Sequence, residues 1–277
     1  MKIKNILYAM FCAVCFSVVS CDTVGENDRL IYVKPAEVKR CVLLEDFTGQ
    51  RCVNCPEAVK EIKKLQEQYG EDNVIAVGIH GGPLAVNSNG KVTGLRTATG
   101  DEYYAAAGSP SLPAGRVGRV GGTYTSDQWQ LLVYNQIQLP SVVAIEAACS
   151  YEVASRELTV DVSALSAEKV DGKLQIWLVE DGIVATQLKY DDEDPSKSVY
   201  DAGYIHNHVF RMAVNGTWGE EFNLAEGEAR SVSRTATIDS AWKPENMSVV
   251  AFIYNDNGVQ QVTKTKLINN EPEQPAE

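Results

Sequence analysis

Apolar and polar positions follow two different patterns along this chain, with the change near residue 140. In the first part, "CVLLEDF" (41–47) predicts a strand buried on both sides except near Glu45 and Asp46. "PEAVKEIKKLQEQYG" (56–70) sets Ala58, Ile62, Leu65 and Tyr69 at i, i+4, i+7 and i+11, the stripe of an amphipathic helix, and Gly70 stands where it would stop. "NVIAVGIH" (73–80) predicts a second buried strand. A strand, a helix and a strand of these lengths form a βαβ unit with parallel pairing. Residues 81–109 begin rich in Gly, Asn, Ser and Thr and become compatible with a helix at "GDEYYAAAG". "LPAGRVGRV" (112–120) is a loop leading into a strand, and 126–137 is a helix capped by Ser126 or Asp127.

From Ser141 the pattern shortens. "SVVAIEAACSYEV", "RELTVDVSAL", "KLQIWLVEDG", "HVFRMAV", "ARSVSRTATI", "MSVVAFIYND" and "VQQVTKTKLI" are strand-like runs separated by turn residues. About seven short strands spaced in this way predict a sandwich-like all-β domain over 141–268. The α/β domain then covers 40–140, and the polar tail "NNEPEQPAE" (269–277) is expected to be disordered.

The first residues change the picture of where the chain works. Lys2 and Lys4 precede an uncharged run from Ile6 to Ser20, which is short for a bilayer span and suited to the core of a secretory signal. The run closes on "VVSC" and resembles a bacterial lipobox, which implies cleavage before Cys21 and a lipid on its thiol. Residues 1–20 are then a leader, and 21–39, polar and mixed apart from "LIYV", are a tether. Loss of Lys2 and Lys4 takes the formal charge from −12 to −14. So acidic a surface argues against nucleic acid and anionic lipid as partners, leaving exported proteins and, through the Cys21 lipid, the membrane.

Beyond Cys21 the mature chain would hold Cys41, Cys52, Cys55 and Cys149 in a compartment where disulfides persist. Cys52 and Cys55 are a natural pair, and Cys41 with Cys149 is a second possibility that spacing leaves open. The strand before the CxxC and the helix after it put Cys52 at or near a helix N-terminus, where the dipole stabilises a thiolate. Arg51 adds positive charge, and Cys55, one turn inside, is the more buried resolving thiol. Pro56 suits the first helical turn. Asp46, on the preceding strand, is placed to relay a proton.

"LLEDFTGQRCVNCP" resembles the strand, active-site loop and helix of the thioredoxin superfamily. The resemblance implies that Asp46 is that family's buried acid. It also implies a cis-proline loop facing the dithiol, for which "SLPAGRVGR" offers Pro113, with Pro110 as the alternative. Two features depart from the family: Arg51 replaces the usual aromatic residue, and Lys60 replaces the helix-kinking proline. The lipobox, this motif, "GIHGG" and "YIHNHVFRMAVNGTWGE" together resemble the lipoproteins related to outer membrane protein 28. That resemblance implies an α/β thioredoxin-like domain followed by an all-β sandwich-like domain, held at the outer membrane.

Other features carry less chemistry. A lone CxxC without a second pair or a close His pair is poor for zinc, and no cofactor is expected. His80 ends the second strand and could face the dithiol. His206 and His208, two apart, would share one face of a strand, as metal ligands can, but no third ligand is identifiable. "DDEDPS" (191–196) lacks the spacing of a calcium loop and reads as a solvated acidic turn. Trp177, Trp218 and Trp242 fit a core better than a glycan platform. Two functions follow: disulfide exchange on exported proteins, in which Cys52 attacks, Cys55 resolves, Asp46 moves the proton and Pro113 shapes the groove, or non-enzymatic binding of a protein or glycan with the CxxC as a structural disulfide.

Overall fold

The computed structural model describes residues 38–268. The leader, Cys21, most of the tether and the tail 269–277 lie outside the described residues. Strand β1 (Val42–Thr48) pairs in parallel with β2 (Val74–His80), in register from Val42↔Val74 to Thr48↔His80. Helix α1 (Cys55–Tyr69) joins them, with Pro56 in its first turn. Gly70 ends it at φ 94°, a left-handed conformation that glycine adopts without a Cβ clash, and its N–H closes on the Gln66 carbonyl. Ala58, Ile62 and Leu65 of α1 pack on Val42, Leu44, Val74 and Ala76.

Helix α2 (Ala98–Ala106) precedes the cis Leu112–Pro113 bond and strand β3 (Ala114–Val117), which is antiparallel to β1. A 3-10 turn (Ser126–Gln128) then leads into α3 (Trp129–Ile137). Neither Ser126 nor Asp127 caps this helix; extended Thr125 precedes the turn and makes no side-chain cap bond. The start is anchored instead by the buried Trp129 indole, which donates to the Tyr124 carbonyl at 3.1 Å.

All seven strand-like runs of the second part are strands. They are β4 (Val143–Glu152), β5 (Glu157–Ser166), β6 (Lys173–Glu180), β11 (Val209–Ala213), β13 (Ala229–Thr237), β14 (Met247–Asn255) and β15 (Gly258–Lys266). The short strands β7 (Ile183–Val184), β8 (Gln187–Tyr190), β9 (Ser198–Asp201), β10 (Ile205–His206) and β12 (Glu220–Glu221) lie between them. Strands β13, β5 and β4 form a three-stranded sheet. The others do not stay within their own half of the chain. An eight-stranded sheet runs β15-β14-β6-β11-β2-β1-β3, with β12 beside β6, and so draws on both sides of residue 140. The architecture is mixed α/β, with one large sheet and few helices.

Burial on two faces explains why β6 and β14 read as unbroken apolar runs. Leu174, Ile176 and Leu178, with Met247, Val249, Ala251 and Ile253, pack on Leu158, Val160 and Val162 of the three-stranded sheet. Trp177, Val179, Val250 and Phe252 point the other way, into an inner core with Leu43, Phe47, Ile75, Val77, Ile79 and Tyr103. The large sheet curls around this core until its ends meet. The Val259 amide donates to the Gly118 carbonyl at 2.7 Å, and the Cys41 amide to Oε1 of Gln261 at 2.8 Å.

The curl also covers both acids of β1. Glu45 and Asp46 are as buried as their apolar neighbours, which corrects the expectation of exposure there. Glu45 meets Arg119 in a bidentate pair, with Arg119 Nη2 at 2.9 Å and Nε at 3.1 Å from Oε1. The guanidinium lies over the rings of Trp177, Phe252 and Tyr254. Cys41 and Cys149 are free and partly buried, Cys41 against the inner core and Cys149 against the core of the three-stranded sheet.

Candidate functional site at the C-terminal end of strand β1

The dithiol loop is tight, and three polypeptide segments hold it. Cys52 and Cys55 form a disulfide with their Cα atoms 5.4 Å apart. The Cys52 amide turns back to the Gly49 carbonyl, and the Cys55 amide to the Cys52 carbonyl. Cys55, rather than Cys52, is the first residue of α1, and Asn54 ahead of it makes no side-chain cap. The two sulfurs therefore do not differ in burial as expected: Cys52 is 3 % exposed and Cys55 2 %. The Arg51 side chain points to solvent.

Loop 81–97 covers one side. Gly49 approaches it so closely that a Cβ there would stand 2.7 Å from the Leu84 carbonyl carbon. The Arg51 amide donates to that carbonyl at 3.0 Å. Gln50, wholly inside, satisfies its amide in three directions: Nε2 donates to the Thr93 and Thr186 carbonyls, and Oε1 accepts from the Leu95 amide. A strap of residues 183–206 covers the other side. The Gln187 side-chain amide donates to the Cys52 carbonyl at 2.9 Å, and the Leu188 amide to the Gln50 carbonyl at 2.8 Å.

Behind the disulfide is a cavity of about 30 Å³ lined by Asp46, Thr48, Cys55, His80, Gln187, Tyr204 and His206, among others. The register explains the gathering. Asp46 and Thr48 share a face of β1 with Gly78 and His80 of β2, since side chains alternate and these pairs are in step. That face is apolar below, at Leu44 and Ala76, and turns polar only at its end under α1. Asp46 Oδ1 has no hydrogen-bond partner in the protein, and burial pushes the carboxyl up to about 7. Pro113 follows one step beyond the Phe47↔Ala114 pair, at the same end of the sheet as the CxxC.

The histidines are arranged otherwise than the sequence suggests. Strand β10 ends at His206, and His208 sits beyond it at φ 57°, so the two do not share a strand face. His208 instead faces Asp181, with Nδ1 3.3 Å from Oδ1. His206 turns to His80, ring centroids 5.5 Å apart and edge to face. No group of three or more metal-ligating side chains occurs among the described residues. The "DDEDPS" run is the exposed β8–β9 turn, closed by Lys189–Asp192 and Lys197–Asp194 pairs. Trp177 and Trp242 pack against the two cores, whereas Trp218 is 41 % exposed. Sequence reasoning missed Gln50, Gln187 and Tyr204. Gln50 lies two residues before the CxxC motif and signals itself as an uncharged polar residue in a buried turn, but Gln187 and Tyr204 carry no local signal.

The family model for outer membrane protein Omp28 matches residues 100–271, a span that begins after the CxxC. HBP35 of Porphyromonas gingivalis superposes with a TM-score of 0.63 at 15% identity, over 86% of this chain and 79% of that one. A domain of the outer membrane lipoprotein Omp28 from Porphyromonas gingivalis aligns at 24% identity and a TM-score of 0.32, over 46% of this chain and 88% of that one. No curated protein matches the chain.

Proposed function

This chain belongs to the outer membrane protein Omp28 family, with its place in the outer membrane of the cell envelope, and from that premise we propose that it exchanges disulfides with exported proteins. In this reading residues 40–140 act as a thioredoxin-like unit continued by a sandwich-like β unit, and Cys21 carries the lipid that holds both at the membrane. Cys52 attacks a substrate disulfide, forming a mixed disulfide and expelling one substrate thiolate. Cys55 then loses its proton to Asp46 and attacks the Cys52 sulfur, closing the disulfide and releasing the second thiolate. Pro113, on the other side of the loop, shapes the groove in which the substrate backbone lies.

One observation carries the reading: a buried carboxyl with an unpartnered oxygen shares a cavity with Cys55. A purely structural disulfide has no use for an isolated buried acid, which costs stability whenever it ionises. The second reading, a brace within a non-enzymatic binding protein, is favoured by the burial of Cys52 beneath Gln187. The reduction potential of the Cys52–Cys55 pair separates the two. Exchange predicts a potential in the range of known oxidoreductases, above about −300 mV, and turnover of a disulfide substrate that Cys52→Ala abolishes. A pair that resists dithiothreitol at neutral pH supports the brace.

A further inference from the structure

The proposed exchange uses Asp46 and leaves two buried histidines in the same cavity unexplained. His80 and His206 are 3 % and 6 % exposed, in contact with each other, and come from opposite halves of the chain. His80 Nδ1, like Asp46 Oδ1, has no hydrogen-bond partner in the protein. Buried polar atoms of this kind are few in folded proteins, and three of the residues that carry them, Asp46, His80 and His208, line one small space. A cavity of about 30 Å³ with several polar walls has room for one or two waters. His206 Nε2 lies 3.2 Å from the Ala185 carbonyl. A carbonyl only accepts, so Nε2 carries the hydrogen and Nδ1 is left as an acceptor.

We infer that His80 and His206 are positioning residues that orient cavity water between Asp46 and the Cys55 sulfur, so that the thiol proton crosses to the carboxylate when Cys55 attacks. The inference rests on the exchange reading and assigns its proton step to a site that both halves of the chain build. In that step the Cys55 S–H bond breaks, a bridging water takes the proton and passes one of its own to Asp46, and the Cys55 electron pair forms the bond to Cys52 as the mixed-disulfide bond breaks and the substrate sulfur leaves as a thiolate. The oxidant is the substrate disulfide held as the mixed disulfide. When the protein's own disulfide is reduced, Cys55 leaves as a thiolate and the proton returns by the same path.

Neutral imidazoles suit this work, because each offers a donor and an acceptor without a standing charge. Burial holds His80 well below its ordinary value, aided by His206 and by Arg211 from β11. Burial brings His206 down to about 4 against the opposing pull of the Ala185 carbonyl. Around the cavity the remaining titratable groups are Asp46 and Cys55, Tyr204 at its edge, and His208, which Asp181 engages. Burial pushes Tyr204 up to about 12, with Asp46 next among the causes, then Asp201 and Glu57. Of these groups, burial brings the Asp46 carboxyl to about 7.

Reduced protein mixed with dithiobis-nitrobenzoate gives a direct test, since nitrothiobenzoate leaves once when Cys52 attacks and again when Cys55 resolves. Mass spectrometry of quenched samples assigns each phase to its cysteine. His206→Gln keeps an amide for the Ala185 carbonyl but loses the Nδ1 acceptor, and His80→Gln is its partner variant. We expect an unchanged first phase and a second phase slowed roughly tenfold at pH 7. The deficit should close above about pH 9, where hydroxide removes the Cys55 proton directly. An unaltered second phase, or both phases slowed by one factor at every pH, overturns the inference while leaving exchange standing. No first phase in the wild-type protein overturns exchange itself, and this inference with it. Should either variant melt early, the Cys55 pH profile of His206→Leu, read below its melting temperature, decides by the same criteria.

Discussion

Glu45 and Asp46 are neighbours on β1, equally buried, and treated in opposite ways. Glu45 faces the inner core, where Arg119 grips it and three aromatic rings stack on the guanidinium. Asp46 faces α1 and the strap, with an oxygen that nothing in the protein hydrogen-bonds. A one-residue step along a strand moves a side chain to the other face of the sheet. One carboxylate is thereby fixed as a charged structural joint between the two halves of the chain, and the other is left able to change its charge.

The largest effect should come from breaking the paired acid. Glu45→Ala leaves the Arg119 guanidinium buried without its counter-ion, which costs about 3–5 kcal/mol and should lower the urea midpoint sharply. Replacing both partners by apolar residues of similar volume should recover most of that loss. If the double variant is no better than the single one, the pair does not act as a unit.

Asp46 should behave in the opposite sense. Its folded value of about 7 lies above the ordinary carboxyl value, so between roughly pH 4 and 7 the folded state binds more protons than the unfolded one. Stability therefore falls as pH rises through that window. Asp46→Asn removes the penalty and should stabilise the protein at pH 8 by up to about 4 kcal/mol, with little effect at pH 4. A variant that melts lower than wild type at pH 8 would show that the ionised carboxylate has a partner after all.

The histidines sharpen the same curve from the acid side. Because burial lowers both, the unfolded state takes up protons below about pH 6.5 that the folded state refuses, and stability falls on acidification toward pH 4. His206→Gln should flatten this limb without changing the alkaline one. Together the two limbs put maximum stability near pH 6 to 7.

Gln187 gives the smallest change. Gln187→Ala removes the neutral hydrogen bonds of its amide to the Cys52, Gly49 and Leu188 carbonyls, about 1 kcal/mol for each well-made bond, and should speed reduction by dithiothreitol because the strap lifts more easily. Equal reduction rates in variant and wild type would mean that the strap does not limit access.

Much of this arrangement was legible in local pattern. The βαβ unit, the stop at Gly70, the helix at "GDEYYAAAG" and all seven later strands followed from period and turn residues. The pairing of β11 with β2 did not, because a strand's partner is set by tertiary packing and leaves no mark on its own alternation. A clue lay in "KLQIWLV" and "MSVVAFI", whose unbroken apolar runs require a layer on each side and so more than a two-sheet unit closed on itself. The burial of Glu45 and part of that of Asp46 have the same origin, since Arg119 and the strap reach them from segments more than 50 residues away. The pairing of His206 with His208 fails because the strand ends at His206, two residues short of His208.

The two ends of the curled sheet have a consequence for how the molecule breathes. Strand β2 is joined to β11 through a single register pair, Val209↔Gly78, backed by the Gly78 amide on the His208 carbonyl at 2.7 Å. At the other seam the backbone bond is Val259 to Gly118, with the Gln261 side chain bonded to Cys41 and Lys39 beside it. Two sutures divide the ring into two arcs, β3-β1-β2 and β11-β6-β14-β15, with every long ladder inside an arc and the shared inner core, rather than backbone pairing, holding the arcs together. In deuterium exchange, the Gly78 and Val259 amides should therefore label together, well before the amides within either arc.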